Sequence, residues 1–535
     1  MLLDSSVWRQ RMLLPGILLI SAALRFWGLG WGLPDSLRSY SYHPDEFLIL
    51  GAVGSVLVTG LPRFYNYPSL FIYLASFAVA ISAALGLSQD LHDLYLTARV
   101  VSALMGVAAV WVVYWAAKQC WGFSQGIIAA AILCIAPLHV QHSHFATVDV
   151  PTTVFVAAVL GFALQVLNRG LWRDYLLCGA MLGFASGTKY NAGLLIGPLL
   201  AAHWPGKKDH KSDNRRLLAA IGVAILAFII STPAIILATW EFFHGFSYEV
   251  THAASGHGLV FAGTGNGYLY TFTSSLWYGL GPGLAVLLVI SAIYALIRYD
   301  FKALTILVFV AWYFTVISYS QVRFARYALP LFPAAAMLVA WMICDIWTRL
   351  SKRWQYGLAG ACAVILLGTM LYTLALDWLF VNPDPRNRAE QWITANIPKG
   401  SGIGLIEVPW FYSPPYSANT GFGTLAQRER EMRKAPYHLE LARHKQYRTR
   451  KWWVVSDYEV DDAIRAAKYS ESLTSEQRKE VQRIVDIQQH LDHNYTCRTF
   501  KSDLSIMGIS FGTTRSLPHD MRYPAPTICI YERKK

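Results

Sequence analysis

Charged residues are scarce in this sequence: only 15% of its 535 residues are Asp, Glu, Lys or Arg, whereas 54% are hydrophobic. In soluble proteins about a quarter of the residues are charged. The apolar residues fall in blocks of roughly 15–25, the length that crosses about 30 Å of hydrocarbon. The shortage of charge therefore argues against an ordinary soluble enzyme and predicts a polytopic membrane protein.

Internal repeats and low-complexity segments are also lacking, and the seven cysteines show no metal-ligand spacing. The net charge of +13 does not indicate a nucleic-acid partner, because the basic residues lie in short loops and in the tail. Cys497 and Cys529 lie in that tail and are able to pair if it is outside the cytoplasm. The first apolar run, near residues 11–32, lacks a convincing cleavage site and predicts an anchor.

Hydropathy predicts about eleven transmembrane helices, and the bias of Lys and Arg toward one set of loops places the N-terminus in the cytoplasm. This orientation requires the apolar stretch 67–88 to be a re-entrant or interfacial helix in an outer loop, residues 33–92. The predicted domains are a membrane domain, 1–380, and an extracytoplasmic soluble domain of α/β or α+β type, 381–535. The predicted spans are 11–32, 93–117, 123–139, 150–167, 174–187, 190–204, 217–239, 270–297, 303–319, 327–347 and 355–379.

Most of the chemically interesting polar residues converge on the outer face. Asp45 and Glu46 stand at the start of an apolar segment, where acids both suit the helix dipole and tend to be functional. Capping and catalysis therefore both remain open for this pair. Asp149 follows a cluster of three histidines (His139, His142 and His144), and it is either a helix cap or part of the same polar site.

Three cations lie on the face that the positive-inside bias leaves poor in them. Lys189 stands among small residues in SGTKYNAG, and Arg323 and Arg326 mark a span boundary in QVRFARYALP. Guanidinium groups there suit an anionic ligand such as a lipid phosphate. The simpler interpretations are a snorkelling lysine and contact with ordinary headgroups. The Gly-rich segment after His257 predicts a mobile loop over the site.

Six short motifs in order, YHPDE, NYPSLFIYL, ARVVSALMGV, SHFATVDVP, GTKYN and RYALP, resemble the bacterial polyprenyl-phosphate-dependent glycosyltransferases. These GT-C membrane enzymes are related to the family 39 protein O-mannosyltransferases and to the lipid A aminoarabinose transferases. The resemblance covers roughly residues 10–400. It implies transfer of a sugar from a lipid phosphate to an acceptor hydroxyl at the outer face. It also implies a catalytic acid at Asp45, with Glu46 beside it, and matches Asp149 and Lys189 to the family's later motifs.

The chemistry of that transfer predicts a role for each group. Asp45 is expected to act as the general base of an inverting displacement, with Glu46 or Asp149 orienting it or tuning its pKa. Lys189, Arg323 and Arg326 are expected to bind the donor phosphate, so that no cofactor is required. A divalent metal is the alternative, with candidate ligands Glu46, His142, His144, His252 and His257. Further pocket candidates are His43, His142, His144, Tyr67 and Tyr190.

The expected partners are the lipid-linked donor, a lipid, glycan or protein acceptor, and membrane lipids, and the expected location is a bacterial inner membrane with a periplasmic tail. Three alternatives stay open. An oligosaccharyltransferase or polysaccharide ligase moves an assembled glycan instead of one sugar. A transporter of a lipid-linked substrate would show internal symmetry and charges near the bilayer midplane. A non-catalytic scaffold would tolerate the loss of Asp45.

Overall fold

The computed structural model describes residues 5–88, 90–206, 213–442, 449–469 and 473–535, with side chains from residue 12 onward and without those of 205–206. A helical bundle extends to Val381, and a mixed α/β tail follows it. The bundle helices are α1 Ser5–Phe26, α2 Glu46–Thr59, α3 Leu70–Ala84, α4 Leu91–Trp121, α5 Phe123–Cys134, α6 Pro137–His142, α7 Asp149–Arg169, α8 Trp172–Ser186, α9 Ile196–Gly206, α10 Asn214–Ser231, α11 Ala234–Leu237, α12 Thr239–Ser255, α13 Gly267–Tyr270, α14 Trp277–Leu280, α15 Pro282–Arg298, α16 Phe301–Tyr319, α17 Leu331–Arg349 and α18 Lys352–Val381.

Among the described residues, six helices are long and apolar enough to cross a membrane: α4, α7, α10, α16, α17 and the helix that begins at Lys352. A seventh span results if the α13–α14 segment and α15 count as one, although they meet at 119°. The break falls at Gly281, whose φ of +88° suits glycine, followed by Pro282 at the start of α15. Helices α1, α5, α8 and α9 match predicted spans but are shorter or less apolar by this test. The basic residues Lys207, Lys208 and Lys211 of the loop after α9 lie outside the described residues.

Two short apolar helices, α2 and α3, occupy the loop that follows α1. They pack on each other and on α4 through buried side chains such as Ile49, Val53, Phe71 and Ala98. With 14 and 15 residues, each is about 21–22 Å long at 1.5 Å per residue, which is short of a 30 Å hydrocarbon core. Helix α3 covers most of the stretch 67–88, and its placement as a re-entrant or interfacial helix stays a prediction.

The tail is built on a five-stranded sheet of order β2-β1-β3-β7-β4, in which β1 is parallel to β2 and β3, and β7 is antiparallel to β3 and β4. Helix α19 covers one face of the sheet, and α21 and α22 cover the other. A disulfide joins Cys497 in β4 to Cys529 in β7. The elements are α19 Pro385–Asn396, β1 Gly402–Leu405, α20 Leu425–Met432, β2 His438–Leu441, β3 Trp452–Ser456, α21 Asp457–Ala467, α22 Ser475–Asn494, β4 Tyr495–Phe500, β5 Asp503–Ile506, β6 Ile509–Thr513 and β7 Ile528–Arg533.

Two of the contacts that hold the tail on the bundle lie near each other in space around the same end of the bundle. The tail segment 517–525 enters the bundle core, where Leu517, Met521 and Ala525 are buried. Nearby, the Gly-rich loop 256–266 reaches up to α21, and Arg465 donates hydrogen bonds to the carbonyls of Val260 and Ala262. The predicted mobile loop is therefore a bridge between the two parts.

Candidate active site

A cleft of about 520 Å³, here called the central cleft, lies between the tail and the end of the bundle that faces it. The bundle forms its floor and the tail its roof. The floor includes Pro44, Asp45, Tyr67, Glu249, His252, His257, Phe324, Arg326 and Tyr327, and the roof includes Glu407, Trp410, Tyr412, Tyr458, Glu459, Asp462, His519 and Tyr523.

Asp45 faces this cleft from the N-terminus of α2, and its carboxylate pairs with Arg326 at 3.0 Å. The Asp45 side chain keeps 22% of its surface exposed, whereas Arg326 keeps 5%. Burial raises the pKa of Asp45, Arg326 opposes that rise, and neighbouring carboxylates add to it. Asp45 is thus an accessible carboxylate with enhanced basicity, held in place by a buried guanidinium.

A second ion pair lies behind the first. Lys189 follows α8 in an extended conformation and donates a 2.6 Å bond to Asp149, the first residue of α7. Both side chains are buried, and the Lys189 ammonium lies 4.8 Å from the centroid of the Tyr327 ring. Arg326 is 3.9 Å from the other Asp149 oxygen, so the two pairs form one charge network.

The tail contributes a third carboxylate to this network. The Asp520 carboxylate accepts hydrogen bonds from the backbone N–H groups of Ala325 and Arg326, both at 2.9 Å. It lies 3.8 Å from the Arg326 guanidinium. The Arg326 side chain also donates to the Tyr523 hydroxyl at 3.2 Å. The tail segment that contains Asp520 and Tyr523 therefore positions Arg326, the ion-pair partner of Asp45.

Glu46, next to Asp45 in sequence, is fully buried and directed away from the central cleft. Its carboxylate forms a bidentate pair with Arg99 (2.8 and 2.7 Å) and also accepts from the Ser41 hydroxyl and the Ala146 amide. Both oxygens are therefore occupied in tying α2 to α4. This environment supports a positioning role for Glu46 and leaves it no free lone pair for a metal.

Replacing Glu46 by glutamine is expected to lower the free energy of unfolding by about 3–5 kcal/mol, because the buried Arg99 would lose its counter-ion. Thermal unfolding in detergent measures the change. Glu476→Gln, an exposed acid on α22, is the matched control and should unfold like the wild type. Unchanged stability of Glu46→Gln would contradict the structural role.

The predicted histidines divide among different environments. The two ring nitrogens of His144 lie within 3.0 Å of backbone carbonyls, and its ring stacks on Phe380. His144 therefore has a structural role in packing the helices together. His142 is fully buried 3.9 Å from Asp520, and burial lowers its pKa to about 4. His43 accepts from the Asp45 amide, and burial holds its pKa well below the usual value. His142 and His43 thus lie beside the charge network as neutral groups.

The remaining predicted residues separate into those on the cleft and those away from it. Tyr67 lines the central cleft. Tyr190 does not: its hydroxyl donates to the Tyr65 carbonyl, and its ring packs on Phe242. Arg323 also points away, because its guanidinium donates to Thr264 and to the Gly265 carbonyl. Arg323 therefore holds the bridging loop in place.

The metal candidates do not form a common site among the described residues. His252 and His257 contact each other at 3.3 Å, while Glu46 is committed to Arg99. In the described part of the chain, three potential ligands come within 4.8 Å of one another at Asp90, His92 and Asp93, at the start of α4 and away from the cleft. No three of the described cleft residues bring potential ligand atoms within 4.8 Å of one another.

Sequence reasoning missed several residues of the cleft and of its charge network, above all Tyr523, which lines the cleft, and the buried Asp520. Their segment, LPHDMRYPAP, concentrates polar and aromatic side chains between prolines, which is a local signal of a structured loop. Nothing in that pattern indicated contact with the membrane domain. Glu459 in the roof was also missed; burial raises its pKa to about 8, and it accepts backbone N–H groups from Glu407 and Ser456.

The chain is similar to known proteins both in part of its sequence and in its overall fold. Residues 72–237 match the family model described as dolichyl-phosphate-mannose-protein mannosyltransferase. No curated protein sequence matches the chain. The crystal structure of ArnT from Cupriavidus metallidurans bound to undecaprenyl phosphate superposes with a TM-score of 0.52 at 14% identity, covering 98% of both chains.

The oligosaccharyltransferase of Archaeoglobus fulgidus superposes with a TM-score of 0.51 at 13% identity, covering 96% of this chain and 77% of that one. At these identities, the likeness shows a shared fold. The predicted fold class, a helical GT-C membrane domain with a small mixed tail, is confirmed. The family match is confined to residues 72–237, whereas the shared fold extends over nearly the whole chain.

Proposed function

We propose that the chain transfers a single sugar from a polyprenyl-phosphate donor to an acceptor hydroxyl at the outer face of the membrane, with inversion and with Asp45 as general base. The observation that carries this proposal is the pairing of Asp45 with Arg326 on the central cleft. The Asp45 carboxylate, which would act as the base, is thus adjacent to the Arg326 guanidinium, which would bind the phosphate. The match to a mannosyltransferase model, and the undecaprenyl phosphate bound to ArnT, support a lipid-phosphate donor.

The donor phosphate competes with Asp45 for the Arg326 guanidinium, whose planar donors suit phosphate oxygens. Binding of the donor would therefore release the Asp45 carboxylate from its ion pair. Lys189, 2.6 Å from Asp149, supplies a second fixed positive charge in the same network. The free enzyme thus keeps its base neutralised until the leaving group arrives.

In the reaction, the acceptor oxygen forms a bond to the anomeric carbon as the bond from that carbon to the phosphate oxygen breaks. The acceptor proton passes to Asp45, and the electron pair leaves on the lipid phosphate, where Arg326 and Lys189 stabilise its charge. One base and no covalent intermediate imply inversion. Because the carboxylates Asp45, Asp149 and Asp520 already have counter-ions, the proposed mechanism routes no step through a metal.

The roof of the cleft supports a sugar-sized ligand. Tyr412 and Tyr458 stack at 5.7 Å, and Glu459 and Trp410 lie beside them, so flat apolar faces and hydrogen-bond acceptors stand together. A volume of about 520 Å³ lies within the range of small-molecule sites. This size favours one sugar over an assembled oligosaccharide.

The side of the membrane is part of the proposal. The tail contains the disulfide between Cys497 and Cys529, and disulfides persist in oxidising compartments such as the periplasm. The predicted loop charges agree with that orientation. We therefore assign the cleft and the tail to the periplasmic side of a bacterial inner membrane.

A panel of polyprenyl-phosphate sugars supplied to the purified protein in nanodiscs tests the proposal. Release of polyprenyl phosphate from one donor, together with a glycosylated acceptor of inverted anomeric configuration, is the expected result. Transfer only from donors that carry assembled glycans would favour the oligosaccharyltransferase alternative. Movement of intact donor across liposomes without release would favour a transporter.

Replacing Asp520 by asparagine is expected to move the acid limb of the activity profile to lower pH. The Asp520 carboxylate raises the pKa of Asp45, and it also shares the Arg326 charge that lowers it. Removing the carboxylate therefore lowers the pKa of Asp45, and the base stays ionised in more acidic solution. The pH dependence of kcat/KM measures the shift. Asp486→Asn, exposed on α22, should leave the limb in place; a shift to higher pH in Asp520→Asn would contradict the coupling.

A further inference from the structure

One part of the tail stands apart from the cleft: the β5–β6 hairpin, residues 503–513. Its two strands form a separate two-stranded sheet outside the five-stranded one. The turn consists of Met507 and Gly508, both with positive φ (+49° and +80°), a conformation for which asparagine and glycine are the usual residues in water. Instead, the tip reads Ile-Met-Gly-Ile, and Met507 is 85% exposed.

The hairpin runs back along a membrane helix. At its base, Arg388 in the first turn of α19 donates to the carbonyl of Lys501. Three residues later, Leu504 is buried in the bundle core, and Phe511 contacts the ring of Tyr372 in α18 at 5.6 Å. Tyr372 lies nine residues before Val381, the end of α18, which is about 13 Å along the helix. The strands therefore lead from the aqueous end of α18 toward the bilayer.

The polarity of the hairpin follows this direction. Its base carries Lys501 and Asp503, whose side chains are 57% and 77% exposed. Its tip carries no charged residue, and Ile509 is 45% exposed there. Segments that lie in a membrane interface place charged residues among the lipid headgroups and apolar residues among the acyl chains. The hairpin has this arrangement, with a charged base and an apolar tip.

The surface beneath the hairpin continues the same pattern. A groove of about 470 Å³ opens between α15 and α18, with Phe511 at its upper end. Trp277, Tyr278 and Tyr372 line it, which resembles the aromatic belt of membrane proteins at the interface. The adjoining α18 surface is apolar and open, with Val364 72% exposed. The exposed tip is thus continuous with the lipid-facing surface of the bundle.

We propose that the β5–β6 hairpin is an interfacial membrane anchor, with its tip, Ile506 to Ile509, inserted among the lipids of the outer leaflet and acyl chains filling the groove below Phe511. The unpaired edges of a two-stranded sheet are costly in hydrocarbon, so the tip resides in the interfacial region and not at the bilayer centre. The anchor would hold the tail, and with it the Asp520 segment, at a fixed height above the membrane.

Spin labels test the insertion without relying on activity. Met507→Cys and, separately, Ile509→Cys would be labelled in a protein whose partly exposed free cysteines, Cys344 and Cys362, are replaced by alanine. In nanodiscs of phosphatidylcholine and phosphatidylglycerol, collisions with oxygen should exceed collisions with a water-soluble nickel chelate several-fold at both positions. Lys399→Cys, exposed beyond the far end of α19, is the control and should show the opposite preference.

Two results would overturn the proposal. Nickel accessibility at Met507 equal to that at Lys399 would place the tip in water. Exclusion of both oxygen and nickel, with a label that becomes mobile on dilution into detergent, would place the tip against protein, such as a second copy of the chain. Circular dichroism of each variant confirms that the labelled protein is folded.

Discussion

Asp45→Asn is expected to slow sugar transfer by about 10²–10⁴-fold, the contribution that a general base makes. The amide keeps the size of the side chain at the start of α2, but it cannot take up the proton of the acceptor hydroxyl. Donor binding should persist, because Arg326 gains freedom to meet the phosphate when its 3.0 Å partner loses its charge. Single-turnover release of polyprenyl phosphate measures the chemical step, and equilibrium binding of the lipid measures donor affinity.

Asp35→Asn is the matched control for this variant, because Asp35 stands in the same loop between α1 and α2 and pairs with Arg38, away from the central cleft. It should transfer sugar at the wild-type rate. If Asp45→Asn and Asp35→Asn released lipid phosphate equally fast, Asp45 would not be the base. A parallel loss of donor binding and of rate in Asp45→Asn would instead indicate a binding role.

Arg326→Gln is expected to lower the rate by about 10²–10³-fold, as the loss of one preorganised charge does at a developing anion. The same change removes the shared partner of Asp45, Asp149 and Asp520. Because a buried carboxylate without its counter-ion is costly, the free energy of unfolding should fall by about 3–5 kcal/mol. Donor affinity, turnover and thermal unfolding are the measurements.

Arg323→Gln is the control, since this neighbouring arginine is directed to the bridging loop at Thr264 and Gly265. It should retain donor affinity and turnover close to wild type. Arg326→Lys adds a test of geometry: it keeps the charge but loses the planar set of donors, so it should bind donor more weakly than wild type. Full activity of Arg326→Gln would remove Arg326 from the proposed mechanism.

Local patterns in the sequence determined the class of molecule and much of the site. Apolar blocks set the helices of the bundle, because a segment in lipid must satisfy its own backbone. The placement of Asp45, Asp149 and Lys189 at helix boundaries on one face was predictable from loop charges and span order. The alternating tail segments likewise predicted a mixed domain, and strands β3 and β7 formed within the expected runs.

Only the tertiary structure distinguished between neighbours that the sequence presents as equals. Asp45 and Glu46 differ by about 100° around the start of one helix, so that one faces the central cleft and the other meets Arg99. Arg323 and Arg326 also have different partners: Arg326 contacts Asp45 and the tail residue Asp520, whereas Arg323 contacts the bridging loop. Asp520 completes the site from the far end of the chain. Such contacts depend on how distant segments pack, and no local pattern of residues encodes that packing.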